Sequence, residues 1–241
     1  IIISTKIGMV ENKKNIFLPK FNFNIKFLQR GIFKSLKRLR VDSLDILQLH
    51  SPKKDFIKSQ KFLEIVNLLK ENKKKGNLKY YGISVQNPED ALYILKKQFG
   101  FNTIQINFNL LDMRAYDLGI FKLAKKYKVS IITRTPMAMG LLRTNKLIIN
   151  KTKDHRIRFS SQKLEQFRSV SKKLALEFND QLSLKALALK FSVFDDIICT
   201  TLPGMMEKTE INANVQSIYS KFSVKKNLKK ICTIYKKFYF V

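Results

Sequence analysis

The 241-residue sequence has no tryptophan, two cysteines, two histidines, eight glycines and five prolines, and 18 acidic residues stand against 47 lysines and arginines. Each scarcity removes a class of protein. Cys199 and Cys232 lie far apart, with no second Cys or His at metal-ligand spacing, so neither a zinc site nor a disulfide framework is expected. They read as buried reduced thiols of a cytoplasmic protein, and no metal is called for. The modest Gly and Pro content leaves no room for a collagen-like repeat or a long low-complexity tract. Every apolar run is interrupted by Lys or another polar residue, well short of the roughly 18 uncharged residues that a membrane span requires. The opening IIISTKIGMV lacks the basic and apolar regions of a secretory signal and is not read as a targeting segment. A globular protein with no membrane partner is the expectation.

The shortage of acids gives a formal charge of +29, which raises the question of a polyanionic partner. Lys, Ile, Asn and Phe are abundant together, as AT-rich coding DNA produces whatever the function. The basic residues run from Lys6 to Lys237, in short clusters such as Lys73 to Lys75 at helix ends, with no basic stripe alternating with aromatics. Polyanion binding is therefore the remote reading of function, and nucleic acid is not the expected partner.

Apolar patterning alternates between short β-rich runs and amphipathic stretches. The runs fall at residues 1–4, 44–49, 78–84, 103–108, 129–133 and 197–201. Residues 56–75 place Phe62, Ile65, Val66 and Leu69 on one face, and residues 116–128 do the same with Ile120, Leu123, Ala124 and Tyr127. Asn87 and Pro88 open a third helix with Ala91, Ile94 and Leu95 inward. Two later helices are expected over residues 162–178 and 182–193, after a loop from Met137 to about Ser160. A Lys-rich amphipathic tail, residues 218–241, should pack outside the domain. Strands and helices alternating every 25 to 30 residues or so argue for parallel βαβ units in one α/β domain over residues 1–241. Six strands are countable, whereas a closed barrel has eight.

Several strand candidates end on a polar residue: Lys6, His50, Ser84, Asn109 and Arg134. The C-terminal edge of a parallel sheet is where such barrels build their sites. A cation, an imidazole, a hydroxyl and an amide, with no carboxylate pair and no Ser-His-Asp set, suit carbonyl polarisation better than hydrolysis. Neither GxGxxG nor GxxxxGK[ST] occurs, which argues against a Rossmann or P-loop nucleotide site.

Read in order, ISTKIG, SLKRLRVDSLDILQLHSP, KGNLKYYGIS, TIQINFNLL, VSIITRTPMAMGLL, DHR and TLPGMMEKTEINAN resemble the successive motifs of the aldo-keto reductase family, from residue 1 to about Asn214. The resemblance implies a (β/α)8 TIM barrel that binds a nicotinamide cofactor and reduces a small aldehyde, ketone or sugar to an alcohol. It implies further that the first two strands, with the family's catalytic Tyr and supporting Asp, precede Ile1, so that the chain by itself is expected to be inactive. Lys6 matches the active-site lysine, which favours the phenolate of that Tyr, and His50 matches the histidine that orients the substrate carbonyl.

The cofactor-binding residues implied by the same resemblance are Ser84 and Gln105 at the nicotinamide carboxamide, Arg134 against the ring, Thr135 and Met137 along the pyrophosphate, and Gly204 and Asn214 at the adenosine end. Val85 stands where many members have Asn, which removes a hydrogen bond worth about 1 kcal/mol. Met206 and Glu210 stand where basic residues commonly pair with the 2′-phosphate of NADP, and Lys208 is the candidate substitute. NADP is the expected cofactor, with NAD possible. A small-molecule carbonyl substrate is the expected partner, and no oligomeric state is assigned. A non-catalytic nicotinamide-binding barrel is the alternative, and Val85 leans that way.

Overall fold

The computed structural model describes residues 1–12, 20–142, 159–205 and 207–239. Strand β1 (Ser4–Ile7) leads into a short antiparallel hairpin, β2 (Met9–Val10) and β3 (Lys20–Phe21), and then helix α1 (Ile25–Leu39). Alternation follows: β4 (Leu44–His50), α2 (Lys54–Ile57), α3 (Gln60–Lys74), β5 (Leu78–Ser84), α4 (Pro88–Lys97), β6 (Thr103–Asn107), α5 (Arg114–Asp117), α6 (Ile120–Tyr127) and β7 (Ser130–Arg134). A 3-10 turn at Ala138–Gly140 precedes α7 (Ser161–Phe178), α8 (Leu184–Phe191), β8 (Ile198–Leu202), α9 (Lys208–Ile218) and α10 (Val224–Tyr239).

The principal sheet has the strand order β1-β4-β5-β6-β7-β8, and β1, β4, β5 and β6 pair in parallel. The chain separates into two compact units, Ile1–Ile106 with Leu118–Ile131 and Asn107–Asp117 with Ile132–Val241, and the division runs through β6 and β7.

In the first unit, period-2 alternation in LDILQLH turns Leu47 and Leu49 toward the helices, where both are fully buried. Helix α3 answers with Phe62, Ile65, Val66 and Leu69, the face read from the sequence, none more than 3% exposed. Burying each such side chain contributes roughly 1.5 to 3 kcal/mol. In the second unit Phe108 stacks on Phe191 with centroids 4.8 Å apart, and α10 buries Val224, Ile231, Ile234 and Tyr235 as it packs against α7 and α8.

Several boundaries differ from expectation, each for a local reason. The first strand begins at Ser4 rather than Ile1, because pairing with Ile46 starts there. Ile1 and Ile2 are exposed, while Ile3 is tied in by its N–H to Asp45 Oδ2 at 2.8 Å. The expected helix over 56–75 is two, α2 and α3, broken where the Ser59 N–H turns back to Phe56 O. The one over 116–128 is broken at Gly119, whose φ of 68° is left-handed. Asn87 occupies the N-cap position without a side-chain capping bond. Helix α1 and the β2-β3 hairpin were not anticipated. The cysteines are not buried: Cys199 is exposed on β8, an outer strand of the sheet, and Cys232 is half-buried beside the inward Ile231 of α10. Among the described residues no helix is long and apolar enough to cross a membrane, and no cluster of His, Cys, Asp or Glu could hold a metal.

Candidate active site

The first unit brings four of the sequence-predicted residues to one edge of its sheet. His50 is in register with Ser84, and Ser84 with Gln105. Residues in register on parallel strands project from the same face, so imidazole, hydroxyl and amide form a row across β4, β5 and β6, spaced by the interstrand distance of about 4.8 Å. Lys6 pairs with Gln48, two residues before His50 and therefore on the same face of β4. The row is extended by Ser51 N–H to Ser84 O at 2.8 Å and Val85 N–H to Gln105 O at 3.0 Å. Ser84 and Gln105 are 1% and 3% exposed, whereas Lys6 and His50 are half-buried.

Two neighbours shape this row. The β2-β3 hairpin sets Phe21 edge-on to His50, ring centroids 5.9 Å apart, and Phe21 stacks in turn on Phe23 at 6.1 Å. That aromatic wall shields one side of the imidazole from water and limits its rotation. Just below the row, a Cβ at Gly82 would lie 2.0 Å from Thr103 Oγ1 and 2.6 Å from Thr103 O. The absence of a side chain there lets β5 and β6 approach beneath Ser84 and Gln105. Gln48 is fully buried, and neither end of its amide has a hydrogen-bond partner among the described residues.

The second unit gathers a separate group. Arg134 ends β7, and its carbonyl accepts from Phe108 N–H at 3.4 Å. Thr135 Oγ1 bonds Asn107 Oδ1 at 3.2 Å, and Asn109 Nδ2 donates to Thr135 O at 3.0 Å. These bonds fix the start of a tight turn in which Thr135, Ala138, Met139 and Gly140 all have positive φ. Ala138 N–H returns to Thr135 O at 2.8 Å, and Gly140 N–H to Met137 O at 2.9 Å. Met137, half-buried, sits at the centre of the turn. Gly204 is exposed in the loop after β8, with open space where a Cβ would stand. Asn214 lies on α9, 6% exposed, its Oδ1 lacking a partner among the described residues.

The two groups are each coherent within their own unit. The DHR segment, most of the loop after Met137, and Met206 lie outside the described residues. The Asn107 and Asn109 contacts to Thr135, and the aromatic wall beside His50, were missed from sequence. Asn109 carried a signal as a strand-end amide; Phe21 carried none, because its role follows from a two-residue strand.

Each group, taken by itself, has polar atoms that suit part of a nicotinamide dinucleotide. Buried polar atoms are almost always hydrogen-bonded, and Asn214 Oδ1 is an acceptor without a partner suited to an exocyclic amine. Ser84 and Gln105 are buried polar side chains at a sheet edge, suited to an amide.

The family profile described as Aldo/keto reductase family matches residues 1–234. The oxidoreductase YqkF of Bacillus subtilis is 24% identical over 191 residues, covering 79% of this chain and 60% of its own length. The chain thus spans about three fifths of that relative's length. Among solved structures, the glycerol dehydrogenase AKR11B4 of Gluconobacter oxydans superimposes with a TM-score of 0.81 at 20% identity, covering 99% of this chain and 73% of that one. The holo form of the aldo-keto reductase AKR11C1 of Bacillus halodurans gives 0.74 at 23% identity, with 97% and 72% covered. The fold is that of a (β/α)8 barrel, six of whose strands are seen here in sheet order, and the chain belongs to the aldo/keto reductase family.

Proposed function

We propose that the protein is an NAD(P)H-dependent oxidoreductase that reduces the carbonyl of a small aldehyde, ketone or sugar. The observation that carries this reading is the row of His50, Ser84 and Gln105 in continuous register, with Lys6 on the same face one strand away. No acidic residue interrupts it, as a hydrolytic carboxylate pair would require.

His50 donates a hydrogen bond from its ring N–H to the substrate carbonyl oxygen, polarising the C=O bond and fixing its angle of approach. The Lys6 ammonium raises the local positive potential, which stabilises negative charge growing on that oxygen and favours the deprotonated form of an acid placed beside it. Phe21 keeps water off one side of the imidazole, so both interactions act in a lower dielectric. By the family resemblance Ser84 and Gln105 would hold the nicotinamide carboxamide and Arg134 would take the ring. Thr135 and Met137 would serve the pyrophosphate, and Gly204 and Asn214 the adenosine end. When bound, the reduced nicotinamide supplies the two electrons of the reduction.

NADP is the proposed cofactor and NAD the alternative, with Lys208 at the start of α9 the candidate for the 2′-phosphate. Cytoplasmic location is part of the same proposal. The test is turnover by the whole protein, followed by nicotinamide absorbance with a panel of small aldehydes, ketones and sugars and with both NADPH and NADH. Lys6→Met or His50→Ala should lower kcat at least 100-fold while leaving cofactor affinity within about threefold. Turnover that survives both substitutions would remove the reading.

A second reading, a barrel that binds the cofactor without catalysis, is favoured by one observation. Val85, fully buried beside Ser84, brings no side-chain amide to the nicotinamide. It predicts cofactor binding with no turnover on any carbonyl.

A further inference from the structure

The crossover helices of the first unit share a property that their spacing along the sequence hides. Helix α4 ends on Lys96 and Lys97, α6 ends on Lys125, Lys126 and the capping Lys128, and α1 and α3 each carry two more basic residues in the last turn. These side chains of α4 and α6 are all exposed. Because the strands of this unit run parallel, each crossover helix ends at the edge where the next strand begins, opposite the edge that carries His50, Ser84 and Gln105. The turns there lie side by side: Asn102 N–H bonds Tyr81 O at 2.9 Å, and Ser130 N–H bonds Asn102 O at 3.0 Å. Few acids offset the charge. Asp45 is paired with Lys79 at 2.7 Å, leaving Asp42 and Glu71 as the exposed carboxylates of these turns. One cation per helix would complement its dipole by a few tenths of a kcal/mol; two or three per helix exceed that need.

Between the ends of α4 and α6 is a cavity of about 270 Å³, lined by Gln98, Phe99, Phe101, Asn102, Tyr127 and Lys128 among others. It is smaller than pockets for drug-sized ligands, roughly 300 to 1,000 Å³, and suits one planar ring system. Cations already sit over rings at its margin: Lys126 Nζ is 5.5 Å from the Tyr127 centroid and Lys97 Nζ 5.8 Å from that of Tyr93.

We propose that this edge of the first unit binds single-stranded nucleic acid. One unstacked base enters the cavity between α4 and α6 and stacks on Tyr127 and Phe99, while Lys96, Lys97, Lys125, Lys126 and Lys128 take the flanking phosphates. The amides of Gln98 and Asn102 face the edge of that base. A duplex keeps its bases stacked and cannot fill the cavity. A lipid surface would call for protruding apolar side chains, whereas Phe101 is 5% exposed and Phe99 and Tyr127 are half-buried.

The experiment is fluorescence anisotropy of labelled 12-nucleotide oligo(U) and oligo(A), with a duplex of equal length, titrated with the whole protein between 50 and 200 mM KCl. Five phosphate contacts imply a slope of about −3.5 in log K against log salt, so affinity should fall about 130-fold over that range. Lys96→Glu/Lys97→Glu and Lys125→Glu/Lys126→Glu should each weaken binding at least tenfold. Tyr127→Ala should weaken it several-fold and Tyr127→Phe should not. The same charge change on exposed residues of α7, Lys172→Glu/Lys173→Glu, should stay within twofold. Equal loss in that control would reduce the effect to net charge and overturn the proposal. So would equal affinity for the duplex, absence of oligonucleotide binding, or binding only to phosphatidylserine vesicles.

Discussion

Gly82→Ala isolates the close approach of β5 and β6 beneath the candidate site. Gly82 has no positive φ, so the added methyl meets no conformational penalty, and the whole effect is steric. Its Cβ would stand 2.0 Å from Thr103 Oγ1 and 2.6 Å from Thr103 O. The hydroxyl can rotate away, but the carbonyl belongs to the β-ladder and can yield only if the strands separate by roughly half an ångström at that point. Overpacking of this kind costs about 1 to 3 kcal/mol, which for a chain of this size lowers Tm by about 3 to 10 °C. Two residues further on lie Ser84 and Gln105, so the same displacement should raise KM for the nicotinamide cofactor. Thermal unfolding followed by circular dichroism measures the first effect, with Gly204→Ala as a control, because a Cβ there meets nothing within 4 Å. Thr103→Ala added to Gly82→Ala should recover less than half of the loss, since the carbonyl contact persists. A Tm within 2 °C of the parent, or full recovery in the double variant, would refute the reasoning.

Three other outcomes are expected. Lys190 Nζ donates to Ile218 O at 2.8 Å and Ser220 O at 2.7 Å, tying down the end of the helix that carries Asn214. Lys190→Met should therefore cost about 2 kcal/mol in urea unfolding and raise cofactor KM more than it lowers kcat. Asn214→Ala should weaken cofactor binding about tenfold by isothermal titration and leave kcat nearly unchanged. Tyr235, 2% exposed, has its phenol pushed up to about 12, chiefly by burial. An unfolded tyrosine ionises near pH 10, so between pH 10 and 12 only the unfolded chain releases this proton, and stability must fall as pH rises. The stability of the parent relative to Tyr235→Phe should decline by about 2 kcal/mol across that window, and a constant difference would contradict the burial of the ring.

Most strands of the principal sheet were legible because they are short apolar runs, and β4 to β7 are largely buried. All six were found, displaced by up to three residues, since β1 could be bounded only by its partner β4. Helix α1 was hidden in a basic segment where Leu28 and Ile32 are a sparse stripe between lysines and arginines. The hairpin was hidden because strands of two residues have no period. The splitting of two helices depended on a single glycine in one case and a backbone turn at Ser59 in the other. Of the site, the strand-end residues could be read, since parallel order puts strand ends on one edge. What could not be read was whatever depends on register between distant segments: Phe21 against His50, Thr103 against Gly82, and the amides of Asn107 and Asn109 holding Thr135.

The turn from Thr135 to Gly140 has one more consequence. Three residues with side chains, Thr135, Ala138 and Met139, are held at φ between 45° and 58°, where glycine would sit without strain and each other residue costs about 1 kcal/mol or more. Only the surrounding bonds keep such a turn in place, among them Ala138 N–H to Thr135 O and Gly140 N–H to Met137 O. A turn fixed in this way has little backbone entropy left to lose on association. Glycine at 139 would relax the folded chain yet slacken the turn, so the variant that unfolds later on heating should be the one that releases its cofactor sooner.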